Sequence, residues 1–160
     1  MDTDGNYINK CTGLSLSLSS AYTQTSLGDS SVTLTGDTAP GRDGTYQFSF
    51  ETTLPIPIGG SLQLVLPTEI DLPTSGLSSV AISATSNLSA GLSLSTGSSD
   101  KVIVLNNAFS SLYVTEGSSV SFTLKFLRNP LSNLNTESFA FTSFDQAGYE
   151  LESLDFGLTI

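Results

Sequence analysis

Residues 45–51 read TYQFSFE, and this short stretch decides the fold class. Three aromatic side chains, Tyr46, Phe48 and Phe50, alternate along it with polar ones. Successive side chains of a β-strand point to opposite faces, whereas a helix brings every third or fourth residue to one face. The stretch therefore predicts a strand that buries an aromatic face and exposes a polar one.

The same period of two recurs along the chain, with Gly- or Pro-containing turns such as Asn129-Pro130 between the runs. No segment repeats apolar residues at helical spacing over three turns, and there is no Cys…Trp…Cys pattern of an antibody domain. The sequence predicts an all-β fold, an immunoglobulin-like two-sheet β-sandwich of about 9–10 strands, with a possible donor strand at a terminus. The predicted strands are 13–20, 31–36, 44–53, 61–66, 78–84, 90–96, 101–106, 111–115, 118–127, 137–144 and 149–160. In the run 118–127 the inward side chains are expected to be Val120, Phe122, Leu124 and Phe126.

The domain organisation follows from length and local composition. A chain of 160 residues fits one domain. Residues 1–12 are polar and rich in Asp and Asn, which predicts an N-terminal lead, either an inter-subunit connector or a frayed terminus. Residues 13–160 form the predicted sandwich domain.

The composition excludes several functional classes. The chain has no His, no Trp and a single Cys, which removes His-dependent catalysis, Cys-rich zinc sites and an intrachain disulfide. A net charge of −10 argues against nucleic acid and anionic membrane surfaces. No apolar run has the length of a membrane span, and the start does not resemble a signal peptide. With 28 Ser and 19 Thr, the outward strand positions are mostly hydroxyl residues. We expect no cofactor, no metal and no enzymatic activity.

Few residues are candidates for a specific site. Asn87-Leu88-Ser89 is an N-glycosylation sequon in a polar turn, so Asn87 is the candidate acceptor of a covalent glycan. The acidic start 2–6 resembles a calcium loop without the Gly and Glu that an EF-hand needs, and a looser site with Asp43 or Asp100 is the weaker alternative to a solvated terminus. Ser98 and Lys101 have the S-x-x-K spacing of serine acyl-enzymes, but a predicted turn cannot supply the helix that this spacing requires. Cys11 is interpreted as a semi-buried residue or an inter-subunit link.

Both ends of the chain carry strongly alternating strands. Leu14, Leu16 and Leu18 mark the first, and we predict that it is the inter-subunit strand. Such a strand either closes its own sandwich or adds to the open edge of a neighbour, as in donor-strand complementation. The alternative inter-subunit strand is the last one, with Phe156, Leu158 and Ile160.

Two longer stretches resemble a known family. Residues 45–72 read TYQFSFETTLPIPIGGSLQLVLPTEIDL, and residues 121–153 read SFTLKFLRNPLSNLNTESFAFTSFDQAGYELES. Together they resemble the immunoglobulin-like repeats of very long Ser/Thr-rich surface proteins of ciliated protozoa and related microbial eukaryotes. The resemblance covers most of residues 13–160 and implies an extracellular β-sandwich of a surface coat, adhesin or fibre. It carries over no site residues, and the lead with Cys11 departs from the repeat pattern.

These observations converge on one expectation and one alternative. We expect a non-enzymatic extracellular or cell-surface structural protein, a filament or coat subunit that assembles with copies of itself by donor-strand exchange and carries covalent glycans. The alternative is an adhesin-type or Ca²⁺-dependent carbohydrate-binding module. Neither interpretation involves nucleic acid or a membrane span in this chain.

Overall fold

The structure, a computed structural model, describes residues 25–26, 28, 30–132 and 134–156. The predicted strand 13–20, Cys11, Leu158 and Ile160 lie outside the described residues, so their predicted roles stay predictions.

The described residues form ten strands and one short 3-10 turn, with no α-helix among them. Most strands coincide with the alternating runs and are bounded by Gly, Pro, Asn or Ser in the intervening turns. The strands are β1 (Thr25–Ser26), β2 (Ser30–Thr35), β3 (Asp43–Glu51), β4 (Ser61–Val65), β5 (Ala81–Ser86), β6 (Ser93–Thr96), β7 (Val102–Asn106), β8 (Ser119–Arg128), β9 (Phe139–Phe144) and β10 (Glu150–Phe156), and the 3-10 turn is Leu77–Ser79.

Two sheets pack face to face and confirm the predicted immunoglobulin-like two-sheet sandwich. The larger sheet has the order β1-β10-β9-β4-β7-β6, and the smaller has the order β2-β3-β8-β5. All pairings are antiparallel except that of the two-residue strand β1 with β10. The chain crosses from β4 to β5 in the other sheet before returning for the β6–β7 hairpin, an order that differs from that of an antibody variable domain.

The core is aromatic at its centre. The predicted inward residues Tyr46, Phe48 and Phe50 are all fully buried. Phe48 stacks on Phe122 of its own sheet at a centroid distance of 5.1 Å and meets the edge of Phe139 in the facing sheet at 5.3 Å. Such pairs contribute about 0.5–1.5 kcal/mol beyond area burial, so this cluster fixes how the two sheets face each other.

Two expectations about strands are corrected by the structure. Residues 111–115 do not form a strand, because only the isolated bridge between Val114 and Ile56 pairs there. Phe126 does not point inward but is 49% exposed, while the next residue, Leu127, is fully buried. The strand β1 at residues 25–26 was not predicted, since its two residues are too few to show alternation.

A β-bulge explains the misplaced Phe126. Leu127 and Lys125 pair with consecutive residues of β3, so Phe126 is an extra residue without a partner in that strand. Its φ of 70° lies in the left-handed region, which a non-glycine residue adopts only at a cost. The extra residue inverts the alternation from that point onward, and the last residues of β8 therefore face opposite to the expected direction.

Candidate interaction surfaces and a polar cavity

Three edge strands of the two sheets, β2, β5 and β6, have no charged residue and no Pro to discourage strand addition. β2 reads SSVTLT, β5 reads AISATS and β6 reads SLST. Soluble proteins commonly protect such edges with Lys, Pro or bulges, because unpaired backbone groups are a template for another strand. β5 has one register irregularity and β6 is short, whereas β2 pairs with β3 over six consecutive residues. The outer edge of β2 is therefore the longest regular edge that the described residues leave open.

Apolar side chains at the sheet edges are only partly buried. Val32 and Leu34 of β2 pack against the core but keep some exposure, as do Ile82 of β5 and Leu94 of β6. A further strand laid along such an edge would remove more of this apolar area from water, which is favourable by about 25 cal/mol per Å².

The sandwich has two distinct ends. The Asn87 end consists of Asn87 and the loops 52–60, 107–118 and 145–149, which are joined by backbone hydrogen bonds such as Gly59 N to Phe109 O at 2.9 Å. The cavity end includes the loops 36–42, 66–75 and 97–101 and the described residues 129–132 and 134–138. β1 runs parallel to β10, so the described chain enters from the Asn87 end, and β10 runs on toward the cavity end.

Large apolar residues are exposed at both ends. Ile58, Tyr113 and Tyr149 are 52–73% exposed at the Asn87 end. Leu131 and Leu134 are 81% and 75% exposed at the cavity end. Exposed apolar groups at opposite ends are suited to contacts between successive copies along an axis.

Of the residues predicted to form inter-subunit strands, the structure describes only Phe156. Leu14, Leu16 and Leu18 lie outside the described residues. Phe156, the first residue of the alternative set, has its backbone paired with Phe139 of its own chain. Neither exchange is tested by this geometry.

Asn87, the candidate glycosylation residue, is exposed at its end of the sandwich. It has a φ of 52°, and its Nδ2 donates to Ser119 O at 2.8 Å. Ser89 of the same sequon is buried, and its Oγ accepts from Ser111 N at 3.1 Å. A glycan on Nδ2 leaves one N–H on that atom, so the bond to Ser119 is compatible with modification.

A polar cavity of about 460 Å³ opens at the cavity end. It contains two of the five basic residues of the chain, Arg42 and Arg128, together with two carboxylates. Within the described part of the chain, neither guanidinium forms a hydrogen bond, and neither lies within 4.0 Å of a carboxylate oxygen. The lining residues are Asp37, Gly41, Arg42, Asp43, Pro73, Thr74, Ser75 and Arg128.

Asn129, beside this cavity, holds one of its walls. Its side chain is 3% exposed, and its Nδ2 donates to Asp37 O at 2.9 Å and to Ala39 O at 3.0 Å. Its Oδ1 accepts from Tyr46 Oη at 2.9 Å. Burial raises the pKa of Tyr46 well above its ordinary value, so the hydroxyl keeps the proton that it donates. A Cβ at Gly44 would overlap Asn129 Oδ1, which explains the glycine at that position.

The loop that forms the opposite wall is hydrogen-bonded to Arg128, the last residue of β8. Arg128 N donates to Asp71 O at 2.8 Å, and Asp71 N donates back to Arg128 O at 3.2 Å. Lys101 Nζ donates to Thr68 O at 2.9 Å and to Ile70 O at 2.6 Å, and it pairs with Asp71 Oδ1 at 2.6 Å. Lys101 therefore anchors the loop that carries Thr68, Ile70 and Asp71, and the prediction that the S-x-x-K spacing is not catalytic stays a prediction.

One carboxyl lies in the interior at the Asn87 end. Glu152 is fully buried, and its Oε1 accepts from Thr53 N and Thr53 Oγ1, both at 2.6 Å. Its Oε2 and the Oγ of its cross-strand partner Ser143 are buried without a hydrogen-bond partner in the described structure. Burial raises the pKa of Glu152 above its ordinary value, against the hydrogen bonds from Thr53 and Leu54, and the charge of Glu116 adds to the rise.

Sequence reasoning missed Arg42, Arg128 and Glu152. The sequence contained a signal for Glu152, because it is in phase with Phe156, Leu158 and Ile160, the alternating apolar residues of the predicted last strand. Nothing in the sequence indicated a binding site at Arg42 or Arg128. The bulge at Phe126 changes the side of the sheet to which Arg128 points, and strand alternation alone does not reveal a bulge.

The described ranges contain no group of three or more His, Cys, Asp or Glu residues that could hold a metal ion. No helix in them has the length and hydrophobicity needed to cross a membrane.

No family model and no curated protein matches the chain. Solved structures of similar fold include the bacterial hydrophobin BslA, at a TM-score of 0.44 and 11% identity over 81% of this chain and 96% of that one. The collagen-binding domain of a Staphylococcus aureus adhesin has a TM-score of 0.44 and 10% identity, covering 81% and 97%. The seventh ScaB type I cohesin from Pseudobacteroides cellulosolvens has a TM-score of 0.41 and 13% identity, covering 81% and 90%. At these levels the likeness is one of fold, and nothing about function follows from it.

Proposed function

We propose that this chain is a non-enzymatic structural subunit of an extracellular filament or surface coat, in which β-sandwiches join by strand exchange. The donor is the strand that carries Leu14, Leu16 and Leu18, and the acceptor is the outer edge of β2 in a second copy. Residues 1–12 connect the donor to the neighbouring subunit. Glycans on Asn87 face solvent at the opposite end from the cavity.

The observation that carries this proposal is the uncharged, unprotected edge of β2. A six-residue edge without Lys, Pro or a bulge offers a ladder to an incoming strand, and its half-buried Val32 and Leu34 gain burial when one is added. The alternating leucines of the donor supply the matching apolar face.

Two further features support an extended assembly. The described chain enters near one end of the sandwich and runs toward the other, and exposed apolar residues lie at both ends. A heterologous contact of this kind repeats without closing and generates a filament when its rotation does not close a ring. The hydroxyl-rich outer faces suit a coat that stays hydrated with few charges.

The proposal is tested by removing the donor. The full chain and a chain lacking residues 1–20 are compared by size-exclusion chromatography and electron microscopy. We expect the full chain to form fibres and the truncated chain to remain a soluble, less stable monomer. A chain lacking residues 157–160 serves as the control, because it probes the alternative strand with Leu158 and Ile160.

Two results would refute the proposal. One is a full chain that stays monomeric at every concentration examined. The other is a truncated chain that polymerises as well as the full one, which would exclude the N-terminal donor.

A further inference from the structure

We propose that the cavity between Arg42 and Arg128 is a binding site for an acidic sugar, with the carboxylate held by the two guanidinium groups. This site is independent of strand exchange, because it lies in loops at the cavity end and not along a sheet edge. It also differs from a calcium-dependent sugar site, because the positive charges that contact the ligand belong to arginine side chains and not to a metal ion.

The cavity is built by a strained piece of backbone. If the alternation of β8 continued unbroken through Phe126, Arg128 would face the core and Asn129 would face solvent. The bulge reverses both, so that Arg128 lines the cavity and Asn129 is buried beneath it. β-Bulges recur where a strand must redirect a functional side chain. The positive φ of Phe126 is an unfavourable backbone conformation for a non-glycine residue, so this bulge is strained.

The cavity walls are fixed before any ligand arrives. Asn129 N donates to Arg42 O at 2.7 Å, and Gly41 N donates to Pro130 O at 3.0 Å. On the other side, the paired backbone bonds between Asp71 and Arg128 hold the start of the loop that leads to Pro73. A preformed cavity avoids part of the entropy cost of ordering loops on binding.

The charges that line the cavity are separated from each other. Arg42 and Arg128 lie more than 4.0 Å from the carboxylate oxygens of Asp37 and Asp43, so the four groups do not neutralise one another in direct pairs. Arg binds carboxylates through two parallel N–H bonds, and such charge-assisted bonds are stronger than neutral ones. The lining carries two positive and two negative formal charges, so the cavity is neutral overall in a chain of net charge −10.

The remaining lining groups indicate a hydroxylated ligand. Asp37 and Asp43 offer carboxylate acceptors, and Thr74 and Ser75 offer hydroxyl groups, which match the hydroxyls of a sugar ring. Asp37 Oδ1 already accepts from Ala39 N at 2.9 Å, which fixes its orientation. A volume of about 460 Å³ falls in the range of ligand pockets. A uronate unites the carboxylate and the hydroxyls in one small molecule.

The test is an NMR titration of the ¹⁵N-labelled full chain at constant ionic strength. The probes are sodium glucuronate, glucose as the neutral sugar, inorganic phosphate as the plain anion and an Asp-rich peptide. We expect saturable shifts at Arg42, Thr74 and Arg128 with glucuronate, and weaker or no binding with the other probes. Arg42→Gln and Arg128→Gln should each weaken glucuronate binding at least about tenfold, since a bond to a charged group contributes about 1.5–3 kcal/mol.

Lys125→Gln is the matched control, because it removes one positive charge from the exposed face of the same strand β8 without touching the cavity. It should bind glucuronate as the unmodified chain does. The proposal is overturned if glucuronate gives no saturable shift, if phosphate or the acidic peptide binds as tightly, or if Lys125→Gln weakens binding as much as the arginine variants do. Thermal unfolding of each variant verifies that the fold is retained.

Discussion

Replacing Asn129 with Ala removes the side chain that joins the core to the cavity wall. Three hydrogen bonds are lost, one from Tyr46 Oη and two to the carbonyls of Asp37 and Ala39. At a net value of about 1 kcal/mol each, the free energy of unfolding should fall by about 3 kcal/mol. A domain stable by about 5–15 kcal/mol remains folded after this loss.

The measurement is urea unfolding at 25 °C, followed by circular dichroism because the chain has no Trp. With a slope of about 2 kcal/mol per M, the midpoint should fall by about 1.5 M while the slope itself stays unchanged. Asn106→Ala is the matched control, because Asn106 makes one exposed side-chain bond, from Nδ2 to Ser95 Oγ at 2.9 Å. Its expected loss is at most about 0.5 kcal/mol. Equal losses in the two variants would refute the inference that Asn129 clamps the wall.

Two further predictions concern the other end of the sandwich. Burial raises the pKa of Glu152 in the folded state, so its contribution to stability is complete below the ordinary pKa and is lost as pH rises through the raised pKa. Melting temperatures measured from acidic to neutral pH should therefore fall less steeply in Glu152→Gln than in the unmodified chain, and parallel curves would contradict this. Secretion from a eukaryotic host should add glycan mass to the 16.7 kDa chain, and Asn87→Gln should remove it. Asn107→Gln, at an exposed residue with a similar φ but no sequon, should leave the mass of the glycan unchanged, and an unmodified secreted chain would exclude the site.

Much of the fold is readable from alternation because one face of each central strand is buried. The runs around Phe48, Leu64 and Phe141 predicted both the strands and the inward side chains, and all three residues are fully buried. Alternation predicts the side-chain burial of edge strands less well, because their apolar residues, such as Val32 and Leu34, are only partly buried. The segment 111–115 was predicted as a strand, yet only Val114 pairs there, in a single bridge with Ile56, so its tertiary surroundings override the local preference.

The candidate sites were less predictable for a physical reason. The sequon at Asn87 depends on local sequence, so it was found directly. The cavity depends on one extra residue at Phe126, on the contact of Asn129 with Tyr46 83 positions away, and on two loops brought to one strand end. Such a site is created by tertiary packing, and no pattern within a short stretch encodes it.

The most direct test of strand exchange is to block the β2 edge without altering the rest of the sandwich. Ser31→Lys with Thr33→Lys places two charges on the edge strand. Ser49→Lys with Gln47→Lys places them at the register partners on the interior strand β3 and serves as the control. Electron microscopy should show fibres for the unmodified chain and the β3 variant, and monomers for the β2 variant. Fibres of the β2 variant indistinguishable from those of the β3 variant would contradict assembly through this edge.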